Sequence, residues 1–369
     1  MANSGNRCFA NAVLQALLHA PPFLALLQDQ LRADIGGGAW MGAHVQVQAH
    51  EHGHSHSHSH DHGSAEWAGQ EHPLLRALLL LVDATSTDGT DGAAPAAVVD
   101  AVVDALLAST TAFHGHQQQD AEEFLTALLG QLGAELGRAD AAPGTCEEWL
   151  EAGGQGRAVR TRQMSLAPAG TRSHPLTRLF GGTLRTSGGS RVVVEPFLVL
   201  PLAVTAATRS VEDALLLLAR PERVPHAPGA PALRRQVLLG DLPALLVLQL
   251  KRFVLAPGGT RLLKLAHPLR APARLLLPPA CLHRAPPGGA AYALRAVVHH
   301  HGTALDAGHY TAQLATPAGF WAFDDDRPVR PEPVERVEHY SHTSYLLFYE
   351  RVSGTEGVDG EGMMVKGGW

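Results

Sequence analysis

The hydrophobic positions of the chain keep two different rhythms. Over the first third they recur at three- and four-residue intervals, the spacing of one face of an α-helix. In "NSGNRCFANAVLQALLHAPPF", residues 3–23, the stripe Phe9, Val13, Leu14, Leu17 and Leu18 predicts a helix from Phe9 onward, with Asn6 as the residue that opens it. Residues 73–83 and 97–108 predict two short helices joined by the loop "STDGTDGAAP". In "QQQDAEEFLTALLGQLGAEL" the positions Leu125, Leu128, Leu129 and Leu132 mark the inward face of an amphipathic helix.

From "LFGGTLR" onward the texture changes to short apolar runs: "RVVVEPFLVLPLAV", "ALLVLQLKRFVL", "YALRAVVHHHG", "HYTAQLA" and "TSYLLFYERV". Such runs read as strands, and the two on either side of "ATPAGF" are expected to pair antiparallel. Helices first and strands after predict an α+β fold. Two segments follow neither rhythm. "GGGAWMGAHVQVQAHEHGHSHSHSHDHGSAEW" carries His at alternate positions from His50 to His62 and reads as a disordered insertion at about 36–70, with loose binding of zinc, copper or nickel as the alternative. Residues 352–369 read as a disordered tail.

Composition narrows the function. With 369 residues, 45% of them hydrophobic, the chain is long enough for a substantial core. A net charge of −6 and a pI near 6.4 provide no basic footprint, so nucleic acid is not an expected partner. No apolar run reaches the ~20 residues of a membrane span, and the N-terminus lacks the pattern of a secretion signal. The expectation is no membrane partner and a cytoplasmic location, with the nucleus also open to the chain. The three cysteines Cys8, Cys146 and Cys281 are too scattered for a disulfide framework or a four-cysteine zinc site.

The candidate chemistry lies near the two ends. Cys8 falls at the start of the first helix, where N–H groups and the helix dipole favour a thiolate. Near the C-terminus, His309 heads a strand and the aspartates 324–326 follow one hairpin later. A cysteine nucleophile needs an imidazole, and the imidazole needs an acceptor that fixes its tautomer. Taken singly, each group has a plainer explanation: Cys8 as a small buried hydrophobe, His309 as a cap, the aspartates as a solvated turn.

Three motifs together change that balance. "NSGNRCFANAVLQALLHAPPF", "QQDAEEFL" and "GHYTAQL…FDDD…SYLLFYER" resemble, in order and across nearly the whole chain, the cysteine and histidine boxes of the ubiquitin-specific proteases, peptidase family C19. "LFGGTLR", "EPFLVLPL", "VEDALLLL", "LPALLVLQLKRFV" and "HHHGTALDAGHYT" look most like the ubiquitin carboxyl-terminal hydrolase 10 branch. The resemblance implies a papain-like fold with a helical thumb, a β-rich palm and β-sheet fingers, in a catalytic domain over residues 1–351. It implies Cys8 as nucleophile, His309 as general base and Asn3 as oxyanion donor. Asp120 and Glu123 match carboxylates that bind the arginine-rich tail of ubiquitin, and His300 and Tyr310 are further candidate substrate-binding residues. No cofactor is implied, and the partners are ubiquitin and ubiquitinated proteins.

The chain departs from the family pattern in four places. The third triad member is open between Asp324 and Asp325: matching Phe323 to the apolar residue before the aspartates selects Asp324, whereas matching Trp321 and Val329 selects Asp325. Because side chains alternate along a strand, only one of the two is expected to face His309, and Asp324 is favoured. The finger stretches near 185–195 and 220–236 lack the cysteines of a zinc ribbon, so no metal site is expected there. Arg7 stands beside the nucleophile, where a cation favours the thiolate or crowds the tail channel. Met1 replaces the usual Gly-Leu opening, which leaves open a missing N-terminal region. The expected activity is hydrolysis of the isopeptide or peptide bond after the C-terminal glycine of ubiquitin. The alternatives are a catalytically impaired ubiquitin-binding module, a protease for a ubiquitin-like modifier, and a metal-buffering protein built on the histidine tract.

Overall fold

The first helix, α1 (Cys8–Leu18), is buried on every side, including its polar residues Asn11 and Gln15. A helix with apolar residues around most of its circumference has no solvent face to offer, so it becomes the axis about which the helical half packs. The computed structural model describes residues 7–36, 72–86, 96–109, 119–137, 149–151, 158–162, 174–188, 191–225, 232–255, 262–303, 308–316, 319–325, 327–338 and 341–352. Asn3, Asn6, Cys146, the histidine tract from residue 37 and the tail from residue 353 lie outside them.

After α1 the chain bends by 85° into α2 (Pro21–Gly36), which was not foreseen as a separate helix. Proline is well suited to open it, because the first helical N–H has no intrahelical partner to lose. Helices α3 (Pro73–Ser86), α4 (Ala96–Ser109) and α5 (Ala121–Gly137) agree with the expected periodicity, and Leu125, Leu128, Leu129 and Leu132 are all buried. The rings of Phe9 and Phe124 meet edge to face with their centroids 5.4 Å apart, joining α1 to α5. The carboxylate of Glu135, itself buried, accepts hydrogen bonds from the backbone N–H groups of Leu74 (3.2 Å) and Leu75 (2.8 Å). It thereby satisfies donors that the first turn of α3 leaves over.

A short helix, α6 (Pro175–Phe180), leads into the strands. One sheet of six strands has the order β1 (Trp149–Glu151), β2 (Ala158–Arg162), β4 (Arg191–Phe197), β3 (Gly182–Gly188), β7 (Leu233–Leu239), β6 (Glu222–Val224). A larger sheet, of eight, runs β15 (Arg330–Glu332), β14 (Gly319–Phe323), β13 (His309–Thr316), β12 (Ala291–His301), β16 (Ser344–Val352), β8 (Leu245–Lys251), β5 (Val199–Ala203), with β11 (Arg274–Leu276) paired to β12. This is the α+β fold expected. The amphipathic helix α7 (Val211–Leu218) packs near β5, opened by a capping box between Ser210 and Asp213.

The large sheet separates two cores, and the period-two alternation of its strands assigns each residue to one of them. On β16, Leu346 and Phe348 join the helical core, while Leu347 and Tyr349 join the core on the other face. On β8, Leu245 and Val247 face the helices and Leu246, Leu248 and Leu250 face away. Strand β12 lies at the centre, pairing with both β13 and β16, and α1 packs across β12 and β13. That crossing puts the N-terminus of α1 beside the head of β13.

Candidate active site

Cys8 is the first residue of α1, and Arg7, not Asn6, is the cap. Arginine has no side-chain acceptor, so the cap makes no side-chain hydrogen bond to the first turn. The thiol is buried, and burial raises its pKa above the ordinary value; the nearby Asp325 carboxylate pushes the same way. The backbone N–H groups of Tyr310, Phe9 and Cys8 itself act in the opposite direction without reversing the shift. The expected standing thiolate is therefore corrected: desolvation outweighs the helix N-terminus. The cation beside it does not help, because the Arg7 guanidinium turns to Asp100 and Asp104 on α4, 3.4 Å from each.

The contact between the Tyr310 N–H and Cys8 fixes the neighbourhood, since His309 immediately precedes Tyr310 at the head of β13. The His309 Nε2 lies 2.5 Å from Asp324 Oδ1. The other Asp324 oxygen accepts from Arg327 Nη1 at 2.7 Å. Burial alone would raise the Asp324 pKa, but His309 and Arg327 hold it below the usual carboxylate value. With Nε2 committed to Asp324, Nδ1 is the imidazole nitrogen left to exchange a proton.

Asp325 also reaches the imidazole, its Oδ2 4.0 Å from Nδ1, and its Oδ1 accepts from Asn11 Nδ2 at 2.8 Å. The expectation that only one aspartate can face His309 fails for a physical reason. Strand β14 ends at Phe323, so strand alternation no longer applies, and Asp325 adopts φ 49°, a left-handed conformation that aspartate tolerates in turns. Among the described residues, His309, Asp324 and Asp325 are also the one cluster of possible metal ligands, with ligand atoms within 4.8 Å of one another. Arg327 and the direct imidazole–carboxylate bond already occupy the Asp324 oxygens.

The candidate substrate residues are arranged differently from one another. Asp120 is buried and caps α5: Oδ1 accepts from the N–H groups of Glu122 (2.7 Å) and Glu123 (3.2 Å), and Oδ2 from the Tyr345 hydroxyl (2.6 Å). Burial nevertheless raises its pKa. Glu123 is exposed on the first turn of α5. His300 and Tyr310 are both buried, their rings 4.8 Å apart, and form the wall behind His309. Burial and the adjacent Lys264 bring the His300 pKa down to about 4, which leaves the ring neutral.

Asn11, Arg327 and Tyr345 went unnoticed in the sequence. The signal for Asn11 was present, as an amide three residues after Cys8 in an otherwise apolar helix. Nothing in the sequence connects Tyr345 to Asp120, 225 positions away.

A family model described as ubiquitin carboxyl-terminal hydrolase matches residues 1–349. The chain belongs to the ubiquitin carboxyl-terminal hydrolase family. That is a family of cysteine peptidases, and the geometry around Cys8 is to be read in its terms. The chain is 28% identical to the probable ubiquitin carboxyl-terminal hydrolase 3 of Schizosaccharomyces pombe, over 95% of this chain and 73% of that protein. Against ubiquitin carboxyl-terminal hydrolase 10 of Rattus norvegicus it is 27% identical, over 95% of this chain and 48% of that protein. Against hydrolase 10-A of Xenopus laevis it is 32% identical, over 57% of this chain and 28% of that protein. It thus spans less than half the length of these hydrolase 10 relatives. The solved SAGA Ubp8/Sgf11/Sus1/Sgf73 DUB module bound to ubiquitin aldehyde shares the fold, with a TM-score of 0.69 at 20% identity over 96% of this chain and 69% of that chain.

Proposed function

We propose that the chain is a deubiquitinating cysteine protease that cleaves the bond after the C-terminal glycine of ubiquitin, with residues 1–351 as its catalytic domain. The observation that carries this reading is the His309–Asp324 pair beside a cysteine at a helix N-terminus, in a chain of this family. Because burial favours the thiol over the thiolate, the Cys8 proton passes to His309 Nδ1 as the sulfur attacks the glycine carbonyl carbon. The carbonyl electron pair moves onto oxygen, where the Asn3 amide and backbone N–H groups stabilise it. Asp324 holds the imidazolium in place. On collapse the C–N bond breaks, His309 gives its proton to the leaving amine, and a thioester remains. Water then attacks, loses a proton to His309, and releases the ubiquitin carboxylate and the Cys8 thiol.

The exposed carboxylate of Glu123 is the group that meets the arginines of the ubiquitin tail, and Asp120 shapes the helix end that presents it. The family assignment and the buried, shared oxygens of Asp120 support this division of labour.

The test is reaction with ubiquitin carrying a C-terminal electrophile. A covalent adduct mapped to Cys8, absent from Cys8→Ala, is expected, and Cys8→Ala retains ubiquitin binding because the thiol serves the chemistry. Hydrolysis that persists in Cys8→Ala overturns the mechanism. Binding without any adduct in the wild-type chain favours an impaired ubiquitin-binding module instead.

A further inference from the structure

Lys264 is one of three lysines in the chain, and it ends β10 (Leu262–Lys264), which pairs with β9 (Phe253–Leu255) in a small separate ribbon. Its side chain leaves that ribbon for the end of β12. The ammonium donates to the backbone carbonyls of His300 (2.6 Å) and Gly302 (2.9 Å) and to His300 Nδ1 (2.9 Å), so its three protons have three acceptors. No carboxylate is among them. Burial and the neighbouring Arg252 lower the Lys264 pKa to about 8, so at neutral pH the three-donor ammonium still predominates.

The acceptor residue His300 and its neighbour His301 are the ones against which the site is registered. His301 stands opposite His309 in the β12–β13 ladder, and His300 opposite Tyr310, whose N–H faces Cys8. The contact with the head of β13 is close: a Cβ on Gly308 would lie 2.4 Å from both His300 Nε2 and the His301 carbonyl oxygen. Only glycine fits between His300 and His309. A shift of His300 therefore moves Gly308 and, with it, the residue that carries the imidazole.

We propose that Lys264 is a positioning residue of the hydrolytic centre: its ammonium holds the end of β12, and His300 transmits that constraint through Gly308 to the His309–Asp324 pair. This rests on the protease function proposed above. The point geometry of an ammonium suits three convergent acceptors in a way that a methionine of similar length does not.

The experiment is a double-mutant cycle in the full chain with Lys264→Met, Asp324→Ala and the pair, following hydrolysis of a fluorogenic ubiquitin C-terminal amide. Lys264→Met is expected to lower kcat by about 30-fold or more with KM within about threefold, because what is lost is alignment and not grip. In the Asp324→Ala background the same change is expected to cost less than about threefold, since the alignment it supports is already gone. An equal loss in both backgrounds, a loss confined to KM, or wild-type kcat in Lys264→Met overturns the proposal. Lys264→Gln, which keeps two donors, is expected to recover part of kcat, and its cycle is read in the same way if Lys264→Met does not fold. A wild-type chain that hydrolyses nothing removes the protease function, and the Lys264 role with it. An active wild-type chain with an additive cycle removes only the role of Lys264.

Discussion

At the scale of single residues, the site places two aspartates on one imidazole and distinguishes them by the nitrogen each meets. Asp324 binds Nε2 at 2.5 Å, whereas Asp325 lies 4.0 Å from Nδ1 and is held by Asn11. Replacing Asp324 with Ala is expected to reduce kcat/KM to about a thousandth, as an unanchored imidazole loses its tautomer and alignment. Asp325→Ala is expected to cost less, and steady-state kinetics that rank them the other way assign the orienting role to Asp325. Asp325 also raises the Cys8 pKa by its charge, after burial. Asp325→Asn should therefore speed alkylation of Cys8 by iodoacetamide at pH 7, because a lower thiol pKa leaves more thiolate. Arg327→Met removes a group that holds the Asp324 pKa down, so the acid limb of the kcat/KM profile should move to higher pH.

At the scale of elements, polar groups buried at helix ends do what local sequence cannot. Glu135 on α5 receives the first-turn N–H groups of α3, and its removal leaves both donors buried. Glu135→Ala is expected to lower unfolding free energy by about 1–3 kcal/mol in urea titration, with the m-value unchanged. Arg252 acts similarly between β8 and β9. Fully buried, it donates to the carbonyls of Ser344 (2.6 Å), Leu265 (3.1 Å), His267 (2.8 Å) and Ser341 (2.8 Å), and so fastens the ribbon that bears Lys264 to β16. The fork of a guanidinium reaches all four, whereas lysine lacks the spread.

At the scale of the whole molecule, the hydroxyl of Tyr345 on β16 joins the large sheet to Asp120 at the head of α5. Burial raises the Asp120 pKa in the fold, and the Tyr345 hydrogen bond offsets part of that rise. A raised carboxylate pKa means that the folded state binds more protons than the unfolded one, so this group makes the fold less stable as pH rises from its unfolded pKa towards its folded one. Tyr345→Phe raises the folded pKa further. Its destabilisation should therefore be larger at pH 7 than at pH 4, which denaturation at the two pH values measures; equal losses would mean that Asp120 does not carry the difference.

The periodicity of the chain determined α1, α3, α4, α5 and the strands that carry His309, because amphipathic spacing and strand alternation are local properties that burial only has to ratify. The motifs around Cys8, Asp120 and His309 likewise sufficed for the family. Tertiary structure decided what depends on distance. It decided the protonation of Cys8, where the cost of burial exceeds the pull of nearby N–H groups. It brought both aspartates to His309, because the end of β14 at Phe323 releases Asp325 from strand alternation. It also made Asp120 a cap bound to Tyr345 and brought Lys264 under the end of β12. Hydrogen bonds between residues tens or hundreds of positions apart leave no period in a sequence, since the fold alone makes them neighbours.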